Sequence, residues 1–332
     1  MRAVVIREFD AAPEIADLPV PRPRAGEVLI KVAASSVNGI DEAVAEGWYK
    51  EAMAHRFPVV LGMDVAGTVT EAGDGVTRLR AGDRVFGVIV NAGLGAGAFA
   101  EYAAVRAEHN VAKLPDNVRM ADAGALGLAG IAAYDAVLAT GPRKGETVLI
   151  SGAAGGDGAY AVQMAAARGA EVIATARSGE EAAFVKALGA QRSVDYTGDA
   201  EADAGTMASV EPGGIDVILH FGGDATGLGA LLKPGGRFAS TLGASPRRDD
   251  VETYAIRPRV SRQTLNRLSA DVVDGQLVVP VTRTYKLAEA TDALRDFRRG
   301  AMGKYAIDVN SLSGRTSVEC AARATHSTDS LS

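Results

Sequence analysis

The chain has 332 residues and a net charge of −6, with 47% hydrophobic and 23% charged residues. This length predicts two domains, and this composition is typical of a globular protein and excludes a disordered one. The acidic balance argues against a nucleic-acid partner, and a single cysteine, Cys320, excludes a disulfide framework within the chain.

The first part of the chain predicts a β-rich, barrel-like domain. Strands are predicted at Arg2–Arg7 and Val28–Ala33, and turn signals recur roughly every ten residues up to Leu114-Pro115.

The first ten residues carry charges and no signal-peptide apolar region, and no apolar run reaches the roughly 20 residues of a membrane span. We therefore expect a cytoplasmic protein with no membrane partner.

After residue 115 the pattern changes to helices that alternate with strands, which predicts a doubly wound parallel α/β sheet. The predicted helices are Ala121–Thr140, Leu265–Asp274 and Leu287–Arg299, and the predicted strands are 147–151, 171–175, 215–221, 236–241, Val278–Val281 and Tyr305–Val309. Residues 311–332 are polar and without periodicity, so we expect a mobile tail there.

A glycine turn lies at the centre of the α/β pattern. The apolar run Val148–Ile150 is followed by Gly152, Gly155, Gly156 and Gly158, then by an Ala-rich helical segment and the second apolar run Val172-Ile173. This is the βαβ unit that holds a dinucleotide, in which glycines let backbone N–H groups approach a pyrophosphate at a helix N-terminus.

The end of the second strand indicates which dinucleotide binds. NAD-binding units place an acid about 20 positions after the glycines, where it binds the ribose 2′-hydroxyl. Ala174–Ser178 contains no acid but has Arg177 beside Ser178, a pair that suits a 2′-phosphate and predicts NADPH. In the alternative interpretation Ser178 caps the next helix, and Arg177 pairs with Glu180 or Glu181.

The order of motifs over about 1–310 resembles the medium-chain dehydrogenase/reductase superfamily, in its zinc-independent quinone oxidoreductase and enoyl reductase branch. The motifs are Ser36–Asp41, Gly62–Gly67, Gly82–Val85, Gly97–Tyr102, Ala129–Tyr134, Gly152–Gly158, Leu232–Gly236 and Gly303-Lys304. The resemblance implies a GroES-like barrel domain over 1–120 and 260–310, a Rossmann domain over 121–259, an active-site cleft between them, and a homodimer.

The resemblance also bears on catalysis. Zinc-dependent relatives carry Cys where this chain has Asn38 and His where it has Met63, so we expect no metal site. We expect Asp64 to be a structural hydrogen-bonding residue. The candidates for stabilising or protonating the substrate oxygen are Asn38 and Tyr49. The alternatives are a backbone-binding turn residue for Asn38 and, for Tyr49, part of a lid packed over the cleft.

The residues expected to contact the cofactor lie in the glycine turn and at the carboxyl ends of the strands. They are Gly152, Ala153, Gly155, Gly156, Asp157, Gly158, Thr175, Arg177, Ser178, His220, Leu242 and Gly243. His220 is expected to line the crevice, with a catalytic acid role as the alternative. Relatives usually have an apolar residue in place of Asp157, which should point outward or weaken nucleotide binding. Many have a threonine in place of Ala132.

These observations predict an NADPH-dependent reductase of quinones or α,β-unsaturated carbonyls that acts on a small-molecule substrate. An enoyl-thioester reductase is a close alternative, for which Arg247, Arg248, Arg257 and Arg259 would supply a basic groove. A protein that binds NADPH as a sensor without turnover is an alternative of a different class.

Overall fold

The computed structural model describes residues 1–90, 93–195 and 211–310, so the tail predicted over 311–332 lies outside the described residues. The strands are β1 Arg2–Ile6, β2 Glu14–Asp17, β3 Glu27–Ser36, β4 Ala54–His55, β5 Val59–Val60, β6 Asp64–Ala72, β7 Arg84–Val88, β8 Gly93–Leu94, β9 Tyr102–Arg106, β10 Val111–Lys113, β11 Thr147–Ser151, β12 Glu171–Ala176, β13 Arg192–Asp195, β14 Ile215–His220, β15 Leu232–Ser240, β16 Glu252–Ala255, β17 Val281–Lys286 and β18 Lys304–Asp308. The helices are α1 Gly39–Ala45, α2 Met120–Thr140, α3 Gly156–Ala167, α4 Gly179–Ala187, α5 Arg262–Val273 and α6 Ala290–Arg298, with short 3-10 helices at Leu228–Leu231 and Leu287–Glu289.

Six parallel strands form the sheet of the α/β domain, in the order β13-β12-β11-β14-β15-β16. The central strand β11 is buried at every residue, because its two faces meet different cores. Val148 and Ile150 face the core shared with α2 and α3, whereas Leu149 packs in a second core with Phe238. Burial on both faces explains the continuous apolar run and confirms the predicted doubly wound sheet.

The barrel domain is built from both ends of the chain. Its main sheet has the order β10-β7-β6-β3-β18-β17, β9 also pairs with β3, and a second sheet joins β2, β1 and β5. β18 runs antiparallel to β3 with Ile307 opposite Ser35, so residues from near the two ends of the described chain share one sheet. The domain encloses an apolar core that includes Val28, Val65 and Phe99. This β-rich domain confirms the second half of the predicted fold class.

Helix α2 packs between the two domains, against β3, β6 and β7 on one side and α3 and α5 on the other. Its close approach to the barrel depends on small residues, since a Cβ at Gly124 would lie 2.8 Å from the Cβ of Ala34 on β3. By length and composition alone, α2 is apolar enough to cross a membrane. In the fold, 72% of its most apolar window is buried inside the protein.

The predicted domain limits at residues 120 and 260 remain predictions. β17 and β18 join the barrel sheet, as the predicted barrel segment 260–310 requires. Helix α5 belongs to the same segment but buries Leu265 and Leu268 in the core formed with α2 and α3. The second barrel segment therefore packs against both domains.

The strand predicted at Val278–Val281 is wrong. Residues 277–280 are irregular, and β17 begins only at Val281. The Gln163 side chain satisfies this backbone in place of a neighbouring strand, because it donates to Val278 O at 3.0 Å and accepts from Val278 N at 2.8 Å. The sequence also does not predict the outer strands β13 and β16, which are short, largely exposed and without an apolar run.

Candidate active site

A cleft of about 820 Å³ opens between the barrel and the α/β domain. The barrel contributes α1 and the turn after it, and the α/β domain contributes the glycine turn, the end of β12 and the loop after β15. Most of the predicted site residues line this cleft, namely Asn38, Tyr49, Gly152, Ala153, Gly155, Gly156, Asp157, Gly158, Thr175, Arg177 and Leu242.

The glycine turn has the geometry of a phosphate cradle. Gly152 adopts a φ of +74°, in the left-handed region that favours glycine, and its N–H donates to Thr175 Oγ1 at 3.0 Å. A Cβ at Gly158 would overlap the carbonyl of Gly152, so α3 begins directly against the strand. The N-terminus of this 12-residue helix faces the cleft with backbone N–H groups that lack helical partners. These residues fit the pyrophosphate of a dinucleotide.

The end of β12 holds a local ion pair at the cleft wall. The Glu181 carboxylate accepts hydrogen bonds from Arg177 N at 2.7 Å, Nε at 3.1 Å and Nη2 at 2.7 Å. Arg177 remains about half exposed, and its Nη1 makes no hydrogen bond with any residue that the structure describes. Ser178 Oγ accepts from Glu181 N at 3.1 Å as the N-cap of α4. The capping and pairing expected in the alternative interpretation are therefore present, and they leave one face of Arg177 open.

Three residues expected at the cofactor lie off the cleft: Ser178, His220 and Gly243. The ring of His220 is buried away from the cleft, between Ser240 Oγ at 3.0 Å and Gly223 O at 3.1 Å. Gly223 O can only accept, so we assign the proton to Nε2, and Nδ1 accepts from the Ser240 hydroxyl. Burial lowers the pKa of His220, which keeps the ring neutral and suits it to ordering the loop after β15.

A buried lysine that the sequence does not single out connects the two sides of the cleft. Lys304, only 2% exposed, donates to Asn38 Oδ1 at 2.6 Å and Val37 O at 3.0 Å, and its Nζ lies 3.6 Å from Asp64 Oδ2. Its aliphatic stem crosses the glycine turn, where a Cβ at Gly156 would lie 2.7 Å from Lys304 Cδ. Lys304, which begins the barrel strand β18, therefore packs on the glycine turn and bonds to the turn before α1.

Asp64 is a fully buried hydrogen-bond acceptor, as its expected structural role requires. Its Oδ2 accepts from Ser36 Oγ at 2.6 Å and Asn38 Nδ2 at 2.9 Å, and its Oδ1 accepts from Leu128 N at 2.7 Å. With Lys304 nearby, this carboxylate has partners for both oxygens. Such a network can hold a buried charge that would otherwise be too costly to desolvate.

The contacts of Asn38 limit what its amide can do. Oδ1 accepts from Lys304, and Nδ2 donates to Asp64 and, at 3.3 Å, to Ser36 O. No amide hydrogen is left to donate to a substrate oxygen, so these contacts suit a positioning residue better than a proton or hydrogen-bond donor. Asn38 and Met63 also do not fit a catalytic zinc, and the described ranges contain no group of three or more His, Cys, Asp or Glu able to hold a metal ion.

Asp41, at the start of α1, adds a second buried acid to this region. Its carboxylate accepts from Asn38 N at 2.9 Å and Gly62 N at 3.2 Å. Burial raises the pKa of Asp41 to about 7, and the charge of Asp64 adds to the rise, while these hydrogen bonds and Lys304 oppose it. The Lys304 ammonium thus interacts with the carboxylates of both Asp41 and Asp64.

Asp157 does not have the outward orientation expected from the sequence. It is half-buried on the cleft wall, where its carboxyl interacts electrostatically with Lys304 and Asp64. Burial raises the pKa of Asp157 to about 6, Lys304 opposes that rise, and Asp64 adds to it. The acid therefore lies where it meets the charges of the cleft.

The remaining polar candidate of the barrel wall is Tyr49. It is half-buried, it packs against the barrel core, and its hydroxyl has no hydrogen-bond partner within 1–90, 93–195 and 211–310. The neighbouring Trp48 also lines the cleft and is 75% exposed, and Leu242, which lines the cleft from the other domain, is 60% exposed. Tyr49 is thus a free hydroxyl beneath an apolar entrance, which fits both the donor and the lid interpretation.

Sequence reasoning missed one charged residue of the cleft, Lys304. Lys304 belongs to the Gly303-Lys304 motif, and nothing in that motif indicates a buried cation. Glu181, which the alternative interpretation already pairs with Arg177, lies on the helix after β12, five residues beyond the end of that strand. The capping pattern Ser178–Glu181 is the signal that places this carboxylate beside Arg177.

Two family models match the chain: the alcohol dehydrogenase GroES-like domain over residues 24–116 and the zinc-binding dehydrogenase over residues 156–264. Among curated relatives, the chloroplast envelope quinone oxidoreductase homolog of Arabidopsis thaliana is 39% identical over 191 residues, 55% of this chain and 56% of the relative. For the first three of these relatives, the chain matches between 56% and 66% of their length.

Solved structures match over a larger share of the chain. The quinone oxidoreductase from Coxiella burnetii superposes with a TM-score of 0.83 at 26% identity, covering 93% of this chain and 99% of that one. A mycobacterial protein complexed with NADPH superposes with a TM-score of 0.81 at 29% identity, covering 93% of this chain and all of that one.

We predict that Lys304 and Asp64 are energetically coupled. Lys304→Met should lower the free energy of unfolding by about 3–5 kcal/mol, because it leaves a buried carboxylate without its cation. The test is a double-mutant cycle with Asp64→Asn, measured by urea unfolding. The loss in free energy of unfolding of the double variant should be smaller, by at least about 1 kcal/mol, than the sum of the losses of the two single variants.

The exposed pair Arg7–Glu14, with Nε and Oε1 2.5 Å apart, is the matched control. Its cycle with Arg7→Met and Glu14→Gln should give a coupling energy below about 1 kcal/mol. Equal coupling in the two cycles would contradict the role given to burial.

Proposed function

This chain belongs to the medium-chain dehydrogenase/reductase superfamily, in its quinone oxidoreductase branch, and we propose that it is a zinc-independent, NADPH-dependent reductase that transfers hydride to a quinone or α,β-unsaturated carbonyl. The observation that carries the proposal is that the glycine turn, Tyr49 and the Asn38–Lys304 pair line the same cleft. Cofactor and substrate can therefore meet between the domains, as near-attack geometry requires.

Bound NADPH would supply the hydride. The chain's own residues bind, orient and protonate: the glycine turn binds the pyrophosphate, and Met63, Leu128 and Ala132 give the cleft an apolar wall that limits water. Negative charge then develops on the carbonyl oxygen of the substrate. Tyr49 has the free hydroxyl that can donate to this oxygen, while Lys304 and Asp64 fix the orientation of Asn38 in the same cleft.

The choice of NADPH rests on Arg177. Its open Nη1 and exposed side chain suit a 2′-phosphate at the end of β12. The mycobacterial structural neighbour is complexed with NADPH, which supports the same choice. Glu181 on the same wall favours the ribose hydroxyl of NADH, so the two side chains oppose each other in cofactor selection.

A free quinone or enone fits better than an enoyl thioester. The thioester arm needs a basic groove, but Arg248 already donates to Asp250 Oδ1 at 2.9 Å and to Leu232 O, at the start of β15, at 2.7 Å. The second candidate function, an NADPH-binding sensor, is favoured by one observation, the inward position of Asp157.

A homodimer, a cytoplasmic location and the absence of a nucleic-acid or membrane partner are further proposals, which rest on the family and on composition.

The test is steady-state NADPH oxidation with a panel of simple quinones, enones and enoyl thioesters. We expect turnover with at least one quinone or enone and little with the thioesters. Tight NADPH binding without oxidation of any substrate would favour the sensor, and turnover confined to thioesters would favour the alternative enzyme.

We predict that Tyr49→Phe lowers kcat by about 100-fold, because general acid catalysis contributes roughly that factor, while the Kd for NADPH changes little. Tyr134→Phe on α2 lies outside the cleft and is the control, with kcat unchanged. If Tyr49→Phe raises KM and leaves kcat intact, the residue serves as part of a lid.

We predict that Arg177→Ala lowers kcat/KM for NADPH by about 10- to 100-fold, since a charge-assisted hydrogen bond contributes about 1.5–3 kcal/mol. The value for NADH should change little, because NADH has no 2′-phosphate. Glu181→Gln is the matched variant and should shift the preference further towards NADPH. An equal loss with both cofactors in Arg177→Ala would refute the assignment of Arg177 to the phosphate.

A further inference from the structure

Asp157 is the one charged side chain in the glycine turn, and the proposed reaction does not use it. It is the second residue of α3 and lies between Gly156 and Gly158. Neither neighbour admits a side chain, because a Cβ at Gly156 would crowd Lys304 and one at Gly158 would overlap Gly152. The carboxyl accepts no hydrogen bond and forms no ion pair with the residues described in the structure, although it faces the cleft.

The charged groups around Asp157 do not neutralise it. Lys304 on β18 is the cation, but its ammonium is already bound by Asn38 and Val37 and lies near Asp64 of β6. On α3 itself, the Tyr160 hydroxyl donates to Ala125 O at 3.0 Å and stays neutral, since burial raises its pKa well above the usual range.

The other charges of the region do not offer Asp157 a cation either. Arg177 at the end of β12 is paired with Glu181 of α4. Asp41 of α1 adds negative charge near Lys304 when ionised. Burial is the main cause that raises the pKa of Asp157 to about 6. Because this pKa lies close to neutral pH, the Asp157 carboxyl can be protonated there.

We propose that Asp157 contacts the cofactor pyrophosphate as a neutral carboxylic acid, so that cofactor binding takes up a proton from solvent. This inference rests on the proposed function, because it requires that the glycine turn bind a dinucleotide. An ionised carboxylate would add a like charge beside the phosphates, whereas the protonated acid donates its O–H to a phosphate oxygen. The bond is charge-assisted, and the O–H is a donor that the apolar residue of relatives lacks.

The direction of the pH effect follows from linkage. The phosphates disfavour the ionised acid, so they raise its pKa above the value of about 6 in the free protein. Affinity is then highest below pH 6, and Kd rises by about tenfold per pH unit from there until the pKa of the complex is passed.

The experiment is calorimetric titration of the full chain with NADP+, which tolerates acid better than NADPH, from about pH 5.5 to 8.5 in two buffers of different ionisation enthalpy. The wild type should take up about one proton per bound NADP+ near pH 7. Asp157→Asn should take up almost none beyond the 2′-phosphate contribution, which both proteins share. The ratio of wild-type Kd to variant Kd should grow at least about tenfold across the range.

Three comparisons complete the design. NAD+ has no 2′-phosphate, so the difference between wild type and variant should persist with it. Asp157→Val, the apolar alternative, should bind with little pH dependence and more tightly than the wild type at pH 8. Asp116→Asn, at an exposed position, should behave as the wild type.

Equal proton uptake by the wild type and Asp157→Asn, or a ratio of their Kd values that does not change with pH, would overturn the inference while leaving the proposed function standing. A different outcome is that the wild type and all variants fail to bind NADP+ or NAD+ at any pH, although the variants unfold thermally as the wild type does. This outcome would overturn both the proposed function and this inference.

Discussion

The buried ammonium of Lys304 is the interaction on which the cleft depends. It comes from the last described strand, it bonds to the turn before α1, and its stem lies on the glycine turn. A buried cation of this kind is tolerated only with good partners, and here a carbonyl, an amide and the Asp64 carboxylate provide them. The same bonds hold Asn38 in one orientation, so the barrel wall is organised before any ligand arrives.

The positive charge of Lys304 is shared, and this governs the ionisation of the cleft. Asp64, Asp41 and Asp157 all interact with Lys304. Asp64 has the most complete set of hydrogen bonds, whereas burial raises the pKa of the other two. A ligand that brings further negative charge therefore acts on acids that are already close to protonation at neutral pH, and a proton can balance its charge.

Local pattern predicted much of this fold and part of the site. The runs that became β11, β12 and β14 are buried on both faces, so their apolar composition determined them directly, and the glycine turn followed from spacing. Interactions between distant residues could not be predicted: the backbone of Val278 bonds to Gln163, 115 positions away, and Lys304 bonds to Asn38 across 266 positions. His220 shows the same limit. The strand pattern predicted that it lies at the carboxyl end of β14, but its contacts with Ser240 and Gly223 determine where its ring lies.

The glycine turn shows how one position can change the chemistry of a site without changing its fold. At Gly156 and Gly158 the neighbouring atoms of Lys304 and Gly152 leave no room for a Cβ, so sterics restrict both positions. Asp157 between them has a side chain that extends to the cleft wall, and substitution there meets no such barrier. An ionised acid at the second position of α3 also interacts favourably with the helix dipole. This interaction offsets part of the rise in the pKa of Asp157 that burial causes. The fold therefore tolerates a carboxyl beside the glycine turn, and this carboxyl can affect ligand binding without changing the fold.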